Sequence, residues 1–232
     1  MMSKSTAAVM PRRLFDLGFA TALLIFAAPV MLTIAAALRI QNRGPVLYRQ
    51  SRMGFRGQPL MLHKFRTLEM DTPEDTVTPH GDHHITPVGR VLRRSRLDEL
   101  PQLFDVITGS LALVGPRPEL AIDLAGIEPA TLERFLAIKP GMTGPVQLEF
   151  IAEDDLLAGV TDPTQIYRSQ LIPAKVAGNL QAFRHRSVSR DAACLLRTVF
   201  VLCSTDARQA SRQALAELSP ELQAAAVMCS SN

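Results

Sequence analysis

A chain of 232 residues holds one ordinary domain with a sizeable core, or one domain plus an anchor; two full domains would not fit. Mean hydropathy is +0.12 although 20% of the residues are charged, so the apolar excess must sit in one place. A net charge of +3 suits anionic lipid, nucleotide phosphates or nucleic acid, but 5% aromatic residues and no reader motif argue against nucleic acid as a partner. Three cysteines, Cys194, Cys203 and Cys229, without a CxxC pair point to neither a disulfide framework nor a zinc site, and fit a reducing, cytoplasmic setting.

The apolar excess lies at the N-terminus. "LFDLGFATALLIFAAPVMLTIAAAL", Leu14 to Leu38, carries one charge, Asp16. As a helix it would be ~37 Å long, enough for a hydrocarbon core of ~30 Å. A secretory signal fits less well, because the run is long and lacks a small-residue cleavage site. Pro29 removes a backbone donor near the middle and predicts a bend or break. Arg12 and Arg13 precede the run and Arg39 and Arg43 follow it. Positive charge on both flanks is consistent with a helix that turns at Pro29 and leaves by the same face; a tilted, kinked single span stays open.

"GPVLYRQSRMGFRGQPLMLHKFRTL" alternates, breaks at Gly54 to Pro59 and alternates again, which predicts a β-hairpin. In its second strand Leu60, Leu62, Lys64 and Arg66 share a face, so two cations emerge together. Residues 70–81 are polar and proline-punctuated, an exposed loop. "HGDHH", His80 to His84, matches no metal-binding spacing and reads as surface loop.

Leu100, Leu103, Phe104 and Ile107 form one helical stripe that Gly109 can end, with Pro101 in the first turn, Asp98 near the N-cap and Glu99 facing away. Leu111 to Val114 is a short apolar run, a buried strand, and Pro116 and Pro118 restrain Arg117 between them. "KPGMTGPVQ" is another rigid turn. Ala192, Leu195, Leu196, Val199, Phe200 and Cys203 make an apolar helical face fit for a core or a membrane interface. The tail from Ser204 reads as a loose helix or disorder.

Asp98 and Glu99 at a helix start have a bland explanation, a cap and a dipole partner. Lys64, Arg93, Arg96 and the restrained Arg117 around a helix N-terminus would instead suit phosphate. Carboxylates at a phosphate site make sense if a cation such as Mg²⁺ bridges the two, or if one carboxylate attacks phosphorus. No GxxxxGK[ST], GxGxxG or HExxH motif is present.

The ordered set "GPVLYRQSRMG", "HKFRT", "ITPVGRVLRR", "LDELPQL", "LVGPRPEL" and "IKPGMTG" closely resembles the bacterial sugar transferase family, the monotopic polyprenol-phosphate phosphoglycosyl transferases, from about Arg12 to about Val201. The resemblance implies a small, mostly helical α/β domain with a short β-hairpin, interfacial helices and a proline-broken re-entrant membrane helix on the cytoplasmic face of the bacterial inner membrane. Residues 1–40 would be that membrane segment, 41–203 the catalytic domain and 204–232 the tail.

It further implies transfer of a sugar phosphate from a nucleoside-diphosphate sugar, UDP-linked, to polyprenol phosphate with Mg²⁺, releasing a nucleoside monophosphate. By the matching motifs Asp98 is the nucleophile and metal-side carboxylate, Glu99 its helper, and Lys64, Arg93 and Arg117 the diphosphate-neutralising cations; Pro29 is the helix break. Partners would be the two substrates and the lipid bilayer, with downstream glycosyltransferases and a second copy of the chain left open, in capsule, lipopolysaccharide or exopolysaccharide synthesis. An aspartate with an ordinary pKa near ~3.9 would need no base to react. Three departures stand out: Ala28 where the family often has Ser, His84 where a basic residue is common, and "PVQLEFIAEDD" after Gly144, which bears on sugar choice. A membrane-anchored scaffold that keeps the fold without catalysis is the second reading.

Overall fold

The computed structural model describes residues 4–41, 44–69 and 83–218. Arg43, His80 and Cys229, and the loop expected at 70–81, lie outside them, as does the side chain of Cys203. Among the described residues there are ten α-helices and two two-stranded sheets.

Helix α1, Lys4–Gln41, carries the apolar run. Asp16, Ala20, Ala27, Ile34 and Leu38 are buried along it, at steps of four or seven residues that keep one stripe against the rest of the molecule. The run's single charge thus faces protein, while Ile25, Phe26, Leu32 and Ile40 stand 67 to 85% exposed. Arg13 fixes the near end, donating to the carbonyls of Val106 and Ile107 at 2.6 Å each, and Arg12 donates to the Arg186 carbonyl. Ile34 and Leu38 fix the far end against Phe65 and Leu92. The break expected at Pro29 does not interrupt the helix, which continues on both sides of it. Proline withholds one N–H, and packing at both ends of α1 carries the helix across that single loss.

The hairpin is present: β1, Leu47–Met53, pairs antiparallel with β2, Pro59–Phe65, with Leu47 opposite Phe65 and Met53 opposite Pro59. Leu60 and Leu62 enter the core as the alternation predicts. Lys64 and Arg66 do not emerge together. Strand β2 ends at Phe65, and Arg66 turns back to the Pro45 carbonyl at 3.1 Å and over the Tyr48 ring.

Helix α2, Pro87–Ser95, starts at Thr86, whose hydroxyl accepts from Gly89 N at 3.0 Å. A 3₁₀ turn, Leu97–Glu99, separates it from α3, Gln102–Thr108, which Gly109 ends at φ 90° as expected. The buried apolar residues of α3 are Leu103 and Val106, whereas Phe104 is 50% exposed and drops out of the predicted stripe. Strand β3, Ala112–Val114, is wholly buried. After α4, Pro129–Leu136, it pairs parallel with β4, Gly141–Thr143, so the "KPGMTG" turn contains a short strand. A Cβ on Gly141 would collide with the Gly115 backbone, which is why glycines hold this crossing.

The segment after Gly144 folds as α5, Pro145–Glu149, and α6, Glu153–Leu157. Helix α7, Pro163–Ile166, runs through a π turn into α8, Ile172–Ala182. Helix α9, Val188–Cys203, rests on the core through Cys194 and Val201, and its apolar face is turned out, with Leu196, Val199 and Phe200 at 64 to 74% exposure. The tail is not loose at its start: α10, Thr205–Ala216, buries Leu215. Ser211 donates to the Glu149 carbonyl and accepts from Ala152 N, bracing the α5/α6 junction.

Candidate active site

The site begins where α2 stops. Arg96 adopts a left-handed conformation (φ 59°) that costs a non-glycine residue about 1 kcal/mol, and the reversal turns the next residues inward. Asp98 and Glu99 therefore sit in the 3₁₀ turn, 7 and 8% exposed. Asp98 caps no helix: α3 starts after Pro101 with no side-chain cap bond. The capping explanation for Asp98 fails on geometry.

Glu99 is the hub. Its Oε1 accepts from Lys64 Nζ at 3.1 Å and from Arg117 Nη2 at 2.9 Å. Burial alone would raise its pKa, but Arg117, Lys64 and Arg96 together outweigh burial and hold it well below the usual carboxylate range. Lys64 moves the other way. Burial lowers its pKa to about 8 against the opposing pull of Glu99. Arg117 is aimed by the backbone, since Pro116 and Pro118 are buried on either side of it and Gly115 is pinned to Thr143 through its N–H at 2.8 Å.

Asp98 is treated differently from its neighbour. Burial and the adjacent Glu99 charge raise its pKa, only partly opposed by Lys64, Arg96 and Arg93, and its Oδ1 is buried with no hydrogen-bond partner. The expectation of an ordinary aspartate pKa is thus corrected by desolvation. Arg93 contributes through its field, while its Nε donates to Thr67 Oγ1 at 3.0 Å. Arg96 reaches Asp154 at 3.5 Å.

Sequence reasoning missed a second buried charge cluster next to the first. Glu119 accepts from the Tyr167 hydroxyl at 2.8 Å and lies 3.7 Å from Arg52 and 3.8 Å from Lys175, which pairs with Glu153 at 2.5 Å. A lone lysine inside the apolar stretch "LIPAKVAGNL" was the available signal. Glu153 comes from the divergent segment after Gly144, so that segment reaches the site.

Above both clusters lies a cleft of about 330 Å³ whose floor includes Glu99, Arg117, Glu153 and Lys175 and whose walls are largely apolar. Asp98, Lys64 and Arg93 are not among its lining residues. Among the described residues no group of three or more His, Cys, Asp or Glu side chains could cage a metal ion alone.

A long, largely exposed apolar helix thus stands beside a buried acid and base cluster under an apolar cleft, an arrangement that suits an enzyme associated with a membrane. The model of the family described as bacterial sugar transferase matches residues 7–205, and the chain belongs to that family. It is 34% identical over 200 residues to a UDP-glucose:undecaprenyl-phosphate glucose-1-phosphate transferase of Caulobacter vibrioides, covering 84% of this chain and 70% of that protein. It is 37% identical over 161 residues to an undecaprenyl-phosphate glucose phosphotransferase of Komagataeibacter xylinus, covering 64% of this chain and only 30% of the relative. An exopolysaccharide production protein of Rhizobium leguminosarum bv. phaseoli is 31% identical over 81% of this chain and 92% of its own length.

Proposed function

We propose that this chain transfers a sugar phosphate from a nucleoside-diphosphate sugar, UDP-linked as the names of its relatives suggest, to polyprenol phosphate at the cytoplasmic face of the inner membrane. The observation that carries the reading is the unequal pair: Glu99 is locked by Lys64 and Arg117, while the buried Asp98 Oδ1 has no partner. An unpartnered buried carboxylate oxygen is costly unless a ligand completes it.

In the proposed sequence an Asp98 oxygen attacks the sugar-bearing phosphorus. The P–O bond to the nucleoside monophosphate breaks, and that group leaves with the electron pair. A phosphate oxygen of the polyprenol phosphate then attacks the same phosphorus and releases the Asp98 carboxylate. Arg117 and Lys64 face the charge that builds on the diphosphate, with Arg93 adding to the field. Glu99 fixes both cations, and its depressed pKa suits it to that work and not to proton transfer.

Mg²⁺ fits the residues present, because this ion commonly takes one or two carboxylates and fills its other positions with substrate phosphates and water. The orphan Asp98 Oδ1 is the position that would hold it. When bound it would supply neutralising charge at the diphosphate.

We read α1 as entering and leaving one leaflet, because both of its ends are held by the same body, Arg13 on α3 and Leu38 on Phe65 and Leu92. Labelling of cysteines placed at 8 and 45 should find both on the cytoplasmic side; opposite sides would establish a span. For the chemistry, membranes carrying the protein are given UDP-glucose, Mg²⁺ and polyprenol phosphate, and uridine monophosphate is measured. Asp98→Asn should abolish release, and wild-type release from that variant would remove the nucleophile assignment.

A further inference from the structure

The one charge in the apolar run of α1 is turned into the protein: Asp16 is 8% exposed. An anion taken out of water is costly, and a leucine would fill the same stripe without that cost. The carboxylate accepts from the backbone N–H of Leu113, in the middle of β3, with Arg186 and Lys139 supplying opposite charge and Asp191 opposing them. Ala112 already gives its N–H to the Pro140 carbonyl, so the next N–H along the strand points to the other side, where among the described residues no further strand stands to take it. Asp16 closes that open edge.

The strand held in this way runs directly into Gly115, Pro116 and Arg117. A second chain of contacts from α1 reaches it: Arg12 donates to the Arg186 carbonyl at 2.6 Å and lies 3.9 Å from Asp191, Asp191 accepts from Arg186 Nε at 3.2 Å, and Arg186 Nη2 donates to the Val114 carbonyl. Beyond Val114 there is little slack. Gly115 N–H donates to the Thr143 carbonyl at 2.8 Å and Gly141 N–H to the Pro116 carbonyl at 2.9 Å, and Pro116 and Pro118 stiffen the backbone on either side of Arg117. A shift of β3 therefore arrives at the guanidinium that meets Glu99 at 2.9 Å. One turn earlier on the same face of α1, Arg13 grips the carbonyls of Val106 and Ile107. Helix α1 thus holds both the segment that follows the Asp98 and Glu99 turn and the segment that leads to Arg117.

We propose that Asp16 is a positioning residue for the transfer reaction: through the Leu113 N–H it sets β3, and with it the placement of Arg117 against Glu99, so that the membrane helix aims the arginine that faces the diphosphate. This role rests on the transfer reading for its reaction, but not for the geometry. The full chain in phospholipid vesicles is compared as Asp16→Asn, which keeps an oxygen for the Leu113 N–H, and as Asp16→Leu, which does not. Asp16→Leu should lower kcat about tenfold with the KM for UDP-glucose and for polyprenol phosphate unchanged, whereas Asp16→Asn should stay within about threefold of wild type. In an Arg117→Lys background, Asp16→Leu should lower kcat by no more than about twofold, because the group it aims is gone. Placement is also read without turnover. Phenylglyoxal modification of Arg117, followed by mass spectrometry, should be about tenfold faster in Asp16→Leu than in wild type, with Arg212, paired to Asp155 at 2.6 Å, unchanged as the control for folding. Equal losses from Asp16→Leu in both backgrounds, an asparagine variant as impaired as the leucine variant, or Arg212 modified faster together with Arg117 would overturn the proposal. Faster modification of Arg117 alone, with no nucleotide release by the unaltered chain from any sugar nucleotide, would defeat the transfer reading and leave the placement of Arg117 by Asp16 standing.

Discussion

Lys64 is expected to cost the protein stability, and Lys64→Met to recover it. The side chain is only 15% exposed, and burial takes its pKa from 10.5 to about 8 even with Glu99 3.1 Å away. At about 1.4 kcal/mol per pH unit, holding this charge in the fold costs about 3 kcal/mol at neutral pH. Methionine removes that penalty and also a charge-assisted hydrogen bond to Glu99, worth about 2 kcal/mol, leaving Arg117 as partner. The variant should therefore be more stable by about 1 kcal/mol at pH 7 while losing most of its transfer activity. The pH dependence follows from the sign of the shift. Below about pH 8 both folded and unfolded chains carry the charge and the full penalty applies. Between about 8 and 10.5 the folded state sheds its proton first, so Lys64 makes stability rise with pH, and its penalty is gone above that range. The chain has no tryptophan, so unfolding is best followed by far-UV circular dichroism in detergent at about pH 7 and about pH 10. A Lys64→Met protein less stable than wild type at pH 7, or one with an unchanged pH slope, would refute the reasoning.

Ser211→Val removes the brace on the α5/α6 junction and should cost about 1 to 3 kcal/mol, with faster amide exchange over residues 149–157 and no change in the hairpin. Tyr167→Phe deletes the 2.8 Å bond to Glu119 and should cost a similar amount, about 1 to 3 kcal/mol. Burial and the Glu119 carboxylate hold the Tyr167 pKa well above its usual value, so wild-type stability from this group is complete below about pH 10 and falls as pH rises beyond it. The phenylalanine variant should lack that share of the alkaline loss in unfolding scans. Gly141→Ala should prevent β3 and β4 from pairing and destroy both stability and activity, whereas Gly126→Ala, with nothing within 4 Å of the new Cβ, should unfold within about 0.5 kcal/mol of wild type.

Local pattern made much of this fold legible. Alternation around the Gly54 to Pro59 break gave the hairpin, the wholly apolar run from Ala112 to Val114 gave a buried strand, and Gly109 ended α3. What failed was decided by neighbours distant in sequence. Phe104 has the right helical spacing, but the body that α3 rests on meets Leu103 and Val106. Arg66 has the right parity to join Lys64, but the strand ends first and a carbonyl at Pro45 takes the guanidinium. Pro29 has the right chemistry to break a helix, yet helical residues run on past it between the contacts at Arg13 and at Leu38. The Glu119, Lys175 and Glu153 cluster joins three segments that no single window of sequence contains.

The unequal treatment of Asp98 and Glu99 is itself a consequence of burial. Two adjacent carboxylates removed from water cannot both be ionised cheaply, because each repels the other and each loses hydration. The site resolves the conflict by giving both direct ion pairs, from Lys64 and Arg117, to Glu99. Glu99 thereby becomes a fixed anion whose work is to keep two cations aimed at one place. Asp98 is left with a raised pKa and an oxygen that no protein group satisfies. A carboxylate already committed to two ion pairs would have to break them before forming a bond to phosphorus, whereas the uncommitted one starts with nothing to lose. Position in the sequence cannot distinguish the two residues; the distribution of their partners does, and the reacting role proposed for Asp98 rests on it.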